Sequence, residues 1–212
     1  MLFLTDFYAI WLTYIFLMLY NFYDKGVAMV GYDFDKTIYN GDSFIDFYLF
    51  VLLRFPYLII ILPFQLIAMA FVCRNKKRIK EIFAFYLRLV PNKEKLVVRF
   101  WRKNVRKLKY GLIKDMCMDD VVISASPKFI VNVAVKAIGV QNCIATDMDI
   151  RSGSIVGKNC YGEVKLERFG QDFPNIKLDA FYSDSLSDLP MKAVSRDFYL
   201  VGGDNVEKCK ID

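Results

Sequence analysis

Histidine is absent from the 212 residues of this chain. Its absence excludes a Ser-His-Asp triad, a Cys-His dyad and every histidine-ligated zinc site. The five cysteines are an odd number and no two of them form a Cys-x-x-Cys pair, which argues against a disulfide framework and a cysteine-ligated zinc site. We therefore expect a reducing, cytosolic environment and oxygen ligands for any metal, a ligand set that suits Mg²⁺.

Long uncharged runs suggest contact with a membrane. The chain is 55% hydrophobic, above the roughly 45–50% of ordinary soluble domains. Residues 7–23 carry no charge and many aromatic side chains, and their length is at the lower limit for a spanning helix. We predict a hydrophobic N-terminal helix over residues 1–25 that is a membrane anchor or an interfacial helix. The alternative is that the natural product starts at Met29.

Positive charge is concentrated in one segment. Residues 74–109 hold 14 Lys or Arg and two Glu, a net charge of +12 in a chain whose total is +6. Such a segment indicates an anionic partner surface, either anionic lipid or nucleic acid. A solvated pair of amphipathic helices has the same pattern.

Apolar runs alternate with helical patterns along the chain. Strands are predicted at residues 27–34, 121–124, 142–146, 178–182 and 198–201. Three glycines predict a hairpin within residues 150–163. The alternation indicates an α/β fold with a Rossmann-like parallel sheet core, and the long helical stretch after the first strand indicates an inserted helical cap. The predicted division is an N-terminal helix at 1–25, a core at 26–40 and 118–212, and a cap at 41–117.

Acidic residues follow two of the predicted strands. Asp33 and Asp35 end the first strand in GYDFDKT, and Asp184 and Asp188 follow a later strand in YSDSLSD. In an open α/β sheet the carboxyl ends of the strands form the ligand crevice. Acids gathered there are unfavourable unless a cation neutralises them. One acid could serve as nucleophile and metal ligand and another as general acid and base.

Two further motifs fit a phosphate site at the same edge. Ser124 ends the strand VVIS and precedes a helix, an arrangement that suits either a phosphate seat or a helix cap. Lys165 opens a helix in GEVK, where it could offset negative charge. In the order DxDxT, hhhSxS, Lys and DSxxD, the motifs resemble those of the haloacid dehalogenase-like superfamily of phosphohydrolases. The resemblance covers about residues 28–205.

The resemblance implies a role for each matching residue. Asp33 is the nucleophile that forms an aspartyl-phosphate, and Asp35 is the acid that protonates the leaving alcohol and then activates water. Ser124 binds the phosphate, with Ser126 as a less favoured substitute, and Lys165 neutralises Asp33 and the phosphate. A magnesium ion is held by Asp33, Asp184 and the main-chain carbonyl of Asp35. Asp188 supports Lys165 and the metal-bound water.

One position departs from the family pattern. The usual DxDGT motif has glycine where this chain has Lys36. Lys36 must adopt the backbone of that tight turn, and it adds a positive charge at the mouth of the site. No catalytic group is lost, so we expect activity to be kept and specificity to change.

The insert indicates the substrate. Its helical character, with the phrase NCYGEVK, resembles the phosphoserine phosphatase-like branch. Residues 55–73 contain no charge, and a cap facing water would not expose such a run. Because all motifs must meet in one site, the chain can cross a bilayer between residues 35 and 124 only an even number of times. We therefore expect a hairpin with arms near 44–54 and 57–73 that dips into one leaflet or spans the bilayer, or else a helix buried in the cap.

The layout of this cap resembles that of bacterial phosphatidylglycerophosphate phosphatases of the superfamily. We accordingly expect a magnesium-dependent phosphatase of a lipid phosphate, associated with the cytoplasmic face of a membrane, with no nucleic-acid partner. The alternatives are a phosphatase of a small soluble phosphomonoester, such as phosphoserine or a sugar phosphate, and a non-enzymatic membrane-bound binding module. Processing of nucleic-acid ends rests on the basic segment alone.

Overall fold

The computed structural model describes residues 29–72 and 75–209. The predicted N-terminal helix lies outside these residues. In the described part, six strands form one sheet in the order β3-β2-β1-β4-β5-β6. The strands are β1 Val30–Tyr32, β2 Val121–Pro127, β3 Asn142–Thr146, β4 Leu178–Ser183, β5 Ser195–Gly202 and β6 Asn205–Lys208.

The sheet confirms the predicted fold class. Every neighbouring pair is parallel except β5 and β6, which are antiparallel. The central strands are apolar on both faces, and residues 121–123 of β2 are fully buried, as helix-covered parallel strands require. The sequence reasoning missed β6 because its four residues, NVEK, are all exposed and do not form an apolar run.

Helices fill the long connection between β1 and β2. They are α1 Ser43–Arg54, α2 Leu62–Phe71, α3 Lys76–Ala84, α4 Lys93–Asn104 and α5 Tyr110–Ile113, with 3₁₀ turns at Pro56–Ile61, Phe85–Leu89 and Val105–Lys107. Asp42 begins α1 by accepting hydrogen bonds from the backbone N–H groups of Phe44 and Ile45, the usual arrangement of an N-cap. The inserted cap is therefore helical, as predicted. Its exact limits at 41 and 117 remain a prediction.

The cap contains a sharp bend between two apolar segments. No single helix in the described ranges has the length and apolar character to cross a membrane, but α1 and the segment Pro56–Phe71 together do, with a bend of 118° between them. Phe55 and Pro56 lie at the bend, where proline can begin a helix but cannot continue one. The side chains on the outer face of this bent pair are large and apolar yet exposed: Ile45, Leu49, Leu53, Tyr57, Ile59, Ile60, Phe64, Leu66, Ile67 and Phe71.

Three further helical segments belong to the core. They are α6 Lys128–Ala137, α7 Glu163–Asp172 and the 3₁₀ segment Leu186–Val194. The indole N–H of Trp101 in α4 donates to the carbonyl of Ile130 in α6 at 2.8 Å, which joins the base of the cap to the core.

The loop between β3 and α7 receives the cap. The hairpin predicted at 150–163 is limited to a short antiparallel contact at its start, where Met148 bridges Ile155 between backbone hydrogen bonds from Asp149 to Ser154 and from Val156 to Asp147, and residues 157–162 do not continue it. Instead the loop bonds to α3: Glu81 accepts from the N–H of Ile155 at 3.1 Å, and Lys77 donates to the carbonyl of Gly157 at 2.7 Å. Gly153 has a φ of +74°, and a Cβ there would clash with the carbonyl oxygen of Ala84. The cap and core are therefore in direct backbone contact.

Candidate active site

The first two acids lie where β1 ends, on the side of the chain opposite Phe34. Phe34 is fully buried and packs edge-on against Trp101, so the side chains before and after it face away from that cluster. The N–H of Asp33 donates to the carbonyl of Tyr182 at 2.8 Å, which extends the pairing of β1 with β4 to the site. Asp33 and Asp35 therefore lie at the carboxyl end of the sheet, as predicted.

A buried lysine joins acids from two distant motifs. The Nζ of Lys165 donates to Asp33 and to Asp188, each at 2.6 Å, and Ser183 donates to the same carboxylate of Asp188 at 2.7 Å. Burial by itself would lower the pKa of Lys165, but the two carboxylates outweigh it and raise that pKa above its usual value. Lys165 thus stays charged. Removing one partner of such a buried pair leaves an uncompensated charge.

Burial is the largest influence on the pKa of both Asp33 and Asp35. It raises the pKa of Asp33 to about 7, although the ammonium of Lys165 opposes the shift. It also raises the pKa of Asp35 to about 6, helped by the nearby charge of Asp42. Hydrogen bonds from the backbone N–H of Ser43, at 2.7 Å, and from the hydroxyl of Ser126 hold the carboxylate of Asp35 in place. A carboxyl group with this pKa can both give and take a proton near neutral pH.

Asp184, from the last motif, adds a further carboxylate to the oxygen ligands of the site. The backbone N–H of Asp184 donates to the hydroxyl of Thr37 at 2.8 Å, which fixes the two motifs together. Burial raises the pKa of the half-buried Asp184, and its carboxyl group lies within hydrogen-bonding reach of Asp33. Two carboxylates this close repel each other as anions unless a cation lies between them.

The oxygen ligands of this site fit a magnesium ion. Among the described residues no three side chains of Asp, Glu, Cys and His converge to hold a metal, so an ion here would also need other oxygen ligands, from the main chain, from uncharged side chains or from water. The carbonyl of Asp35 is the ligand that the resemblance implies. Two carboxylates with one carbonyl form the hard oxygen set that Mg²⁺ prefers, with water completing its shell.

The two candidate serines occupy different positions. Ser124 is fully buried, and its hydroxyl accepts from the backbone N–H of Ser126 at 3.0 Å. Ser126 lines the cavity and donates to Asp35, whereas Ser124 lies behind the cavity wall. The structure therefore brings together the predicted acids and Lys165. It places Ser126, the less favoured serine, nearer to the site than Ser124.

The acids open into one cavity of about 350 Å³ between cap and core. The cap contributes Phe44 from α1 and Lys76, Ile79 and Lys80 from α3. The core contributes Asp33, Asp35, Ser126, Lys165, Asp184 and Asp188, together with Asn159, Tyr161 and Ser187. The sequence reasoning missed the α3 lysines, since nothing distinguishes them from the other basic residues of the segment 74–109.

Lys36 lines the mouth of the cavity in the conformation that its position requires. Its φ is +59°, in the left-handed region where glycine is favoured. Its backbone N–H donates to the carbonyl of Gly41 at 3.0 Å, closing the turn, and its charge lowers the pKa of Asp184 against the larger effect of burial. The expectation that lysine must tolerate the tight turn is confirmed.

Comparison with known proteins points to one family. A family model described as haloacid dehalogenase-like hydrolase matches residues 30–192. No curated protein sequence matches the chain. A protein of unknown function from Bordetella pertussis Tohama I is 23% identical, with a TM-score of 0.64 over 79% of this chain and 87% of the other.

Two other solved structures share the fold. A phosphoserine phosphohydrolase-like protein from Francisella tularensis has a TM-score of 0.50 at 16% identity, over 81% of this chain and 86% of the other. A phosphoserine phosphatase described as an analogue of the phospho-aspartyl intermediate has a TM-score of 0.51 at 14% identity, over 82% and 86%. At such identities the likeness shows the fold.

Proposed function

The chain belongs to the haloacid dehalogenase-like hydrolase family, and from this premise we propose that it is a magnesium-dependent phosphatase of a membrane lipid phosphate. The observation that carries the hydrolytic part is the buried contact of Lys165 with Asp33 and Asp188, with Asp35 beside it. Lys165 bonds one carboxylate oxygen of Asp33, and Asp33 lines a cavity large enough for a phosphate ester. The other carboxylate oxygen is therefore available to attack a substrate in that cavity.

Asp33 and Asp35 divide the chemistry between them. An oxygen of Asp33 attacks phosphorus, the ester P–O bond breaks, and Asp35 gives its proton to the departing alkoxide, which leaves an aspartyl-phosphate. Water then attacks that phosphorus while Asp35 takes its proton, and inorganic phosphate departs as Asp33 is regenerated. Ser126 holds Asp35 in place for both proton transfers. Ser124, whose hydroxyl accepts from the backbone N–H of Ser126, is proposed to bind the phosphate.

Positive charge makes the approach of a phosphate possible. A phosphomonoester dianion is repelled by a carboxylate nucleophile unless cations offset both charges. Lys165 supplies one such charge, held in position by Asp188. A magnesium ion at Asp33, Asp184 and the carbonyl of Asp35 would supply the other when it is bound.

The cap supports a lipid as substrate. Ten large apolar side chains are exposed on the bent pair, a larger apolar face than a water-facing cap normally shows. The hydroxyl of Tyr57 donates to the carbonyl of Leu89 at 3.0 Å, next to the exposed Arg88, whose guanidinium lies over the ring of Phe85. Aromatic rings and arginines at the rim of an apolar face are typical of a membrane interface. We propose that this face dips into the cytoplasmic leaflet, where basic residues meet anionic headgroups.

Phosphatidylglycerophosphate is the lipid that this proposal names, since the layout of the cap resembles that of its bacterial phosphatases. The second candidate is a small soluble phosphomonoester. It is favoured by the fold shared with phosphoserine phosphatase and by the modest volume of the cavity. Under that reading the exposed apolar face would have another partner.

The test is phosphate release with Mg²⁺ from three substrates: phosphatidylglycerophosphate in mixed micelles, its deacylated water-soluble counterpart, and phosphoserine. The proposal expects the lipid to be hydrolysed with the highest kcat/KM, and Asp33→Asn to abolish release from all three. Faster hydrolysis of phosphoserine would assign the soluble function. No release from any phosphomonoester would refute the phosphatase itself.

A further inference from the structure

The active-site cavity contains four lysines, and only one of them is accounted for by the chemistry. Lys165 is neutralised by Asp33 and Asp188. Lys36, Lys76 and Lys80 also line the cavity. Within the ranges that the structure describes, none of these three forms an ion pair with a carboxylate. Their charges therefore face the cavity without a partner of opposite sign in direct contact.

Lys80 is the most unusual of the three because it is largely withdrawn from water. Its Nζ donates to the carbonyl of Ala125 at 2.6 Å and to the side-chain oxygen of Asn159 at 2.9 Å. Both acceptors are neutral, and an ammonium group has a third hydrogen to donate. Burial lowers the pKa of Lys80 to about 8, although the charges of Asp35 and Asp42, which line the same cavity, oppose the shift. Keeping a charged ammonium at such a position is unfavourable unless an anion compensates it.

The core holds the acceptors of Lys80 rigidly. The hydroxyl of Thr146 contacts the Ala125 carbonyl at 2.7 Å and the Asn159 side chain at 3.0 Å, and it accepts from the backbone N–H of Cys160. Lys80 is thus fixed by a preformed network rather than left free in solvent. Fixed polar groups of this kind are what a binding site for a charged ligand requires.

Lys76 and Lys36 add charge on two more sides. Lys76 lies one helical turn before Lys80, with its Nζ 3.5 Å from the centre of the Tyr161 ring, so both lysines project from the same face of α3. Lys36 holds its place with a φ of +59° that glycine would adopt more easily. The cap and the turn after Asp35 together surround the mouth of the cavity with ammonium groups.

We propose that Lys36, Lys76 and Lys80 form a subsite for a second anionic group, so that the preferred substrate is a phosphomonoester that carries another negative charge close to its scissile phosphate. The inference rests on the proposed phosphatase function and narrows its substrate class. The second group can be a phosphate, as in a phospholipid headgroup with two phosphates, or a carboxylate, as in a phosphorylated amino acid. Both share the chemistry of an oxyanion that three ammonium groups bind.

Binding to the full chain in the Asp33→Asn background, with Mg²⁺ present, tests the subsite without turnover. Titration calorimetry would compare glycerol 1,3-bisphosphate with glycerol 3-phosphate, and phosphoserine with phosphoethanolamine. Each pair differs by one anionic group. Hydrogen bonds to charged groups predict tighter binding of the doubly anionic member of at least one pair by about 10-fold or more. The pair that shows the preference identifies the second anion.

Substitutions then locate the subsite. Lys80→Gln and Lys76→Gln should each reduce the preference by roughly 5-fold or more, since each removes one charged donor. Lys36→Gly should reduce it as well, while relieving the strained turn. Lys77→Gln is the matched control, because Lys77 is on the same helix and also bonds the core loop, through Gly157, but does not line the cavity. It should leave the preference unchanged.

Each outcome is decisive. Equal affinities within both pairs, or a preference that survives all three cavity substitutions, would overturn the subsite. If Lys80→Gln unfolds the protein, Lys76→Gln and Lys36→Gly still give the answer. Failure of the wild-type chain to hydrolyse both the four compounds and phosphatidylglycerophosphate in micelles would count against the proposed function, whereas the binding preference would still support or overturn the subsite.

Discussion

Replacing Ile60 and Leu66 with lysine should detach the protein from membranes while leaving its fold intact. Ile60 is 72% exposed and Leu66 is 53% exposed, so more than half of each side chain is free to enter lipid. Losing that apolar contact costs about 1–1.5 kcal/mol for each residue. If the new ammonium groups reach back to the surface, vesicle binding should weaken by about 30–150-fold. If they are held deep in the bilayer, at about 2.5–3.5 kcal/mol each, the loss should be on the order of 10³ or more.

The assay combines co-sedimentation with vesicles containing anionic lipid and thermal unfolding of the same samples. Because both positions are exposed, the double variant should unfold within a few degrees of the wild type. The matched control is Leu58→Ala, since Leu58 lies beside Ile60 but is fully buried. It should lose about 2–5 kcal/mol of stability without a specific loss of vesicle binding.

A second readout is the ratio of the rate on lipid phosphate to the rate on a water-soluble phosphate. This ratio should fall sharply in the double variant, because the acids of the site belong to the core. An unchanged ratio together with lower stability would mean that the bent pair packs against protein, and the membrane proposal would have to be abandoned.

Four further outcomes follow from the site. Asp33→Asn should abolish turnover and formation of the phosphoenzyme, whereas Asp35→Asn should still bind substrate but form the phosphoenzyme slowly from alkyl phosphates and release phosphate slowly; identical single-turnover traces would contradict this division of roles. Asp35 must carry a proton for the leaving group and Asp33 must have lost its own to attack, and burial raises their pKa values to about 6 and about 7, so kcat/KM for alkyl phosphates should be level between about pH 6 and 7 and fall about tenfold per pH unit above pH 7. The fall should be absent with p-nitrophenyl phosphate, whose leaving group needs no proton. EDTA should abolish phosphatase activity and added Mg²⁺ should restore it. Activity that persists after thorough chelation would contradict the proposed metal dependence. Gly153→Ala should destabilise by about 1–3 kcal/mol more than Gly157→Ala, as denaturant unfolding can show, because both glycines have positive φ but only Gly153 touches Ala84.

The core was predictable from the sequence because its signals are local. Apolar runs that end in acids mark β1 and β4, and the order of the motifs then brings Asp33, Lys165 and Asp188 together across 132 and 23 residues. Periodicity could not reveal β6, because an exposed edge strand of polar residues does not form an apolar run. It also predicted a hairpin over residues 150–163, of which the structure has one antiparallel bridge between Met148 and Ile155, followed by a loop, and Gly153 in the turn approaches the cap.

The sequence did not reveal the positions of Ser126 and Lys80, because both depend on contacts between distant segments. The sequence places Ser124 and Ser126 two residues apart, and the irregular pairing of β2 with β3 between Ser124 and Pro127 changes which hydroxyl faces Asp35. The part played by Lys80 depends on the fold of α3 against the loop that carries Asn159, 79 residues away. No pattern within α3 distinguishes Lys80 from the lysines beside it.

The position of β1 in the middle of the sheet has a consequence for synthesis. β1 pairs with β2 and β4, so its partners begin at Val121 and Leu178, well after the bent pair has left the ribosome. The exposed apolar segments are therefore made while the strands that complete the core do not yet exist. If this face binds lipid, the growing chain can reach the membrane before its active site has formed, and the last steps of folding would take place at the bilayer surface.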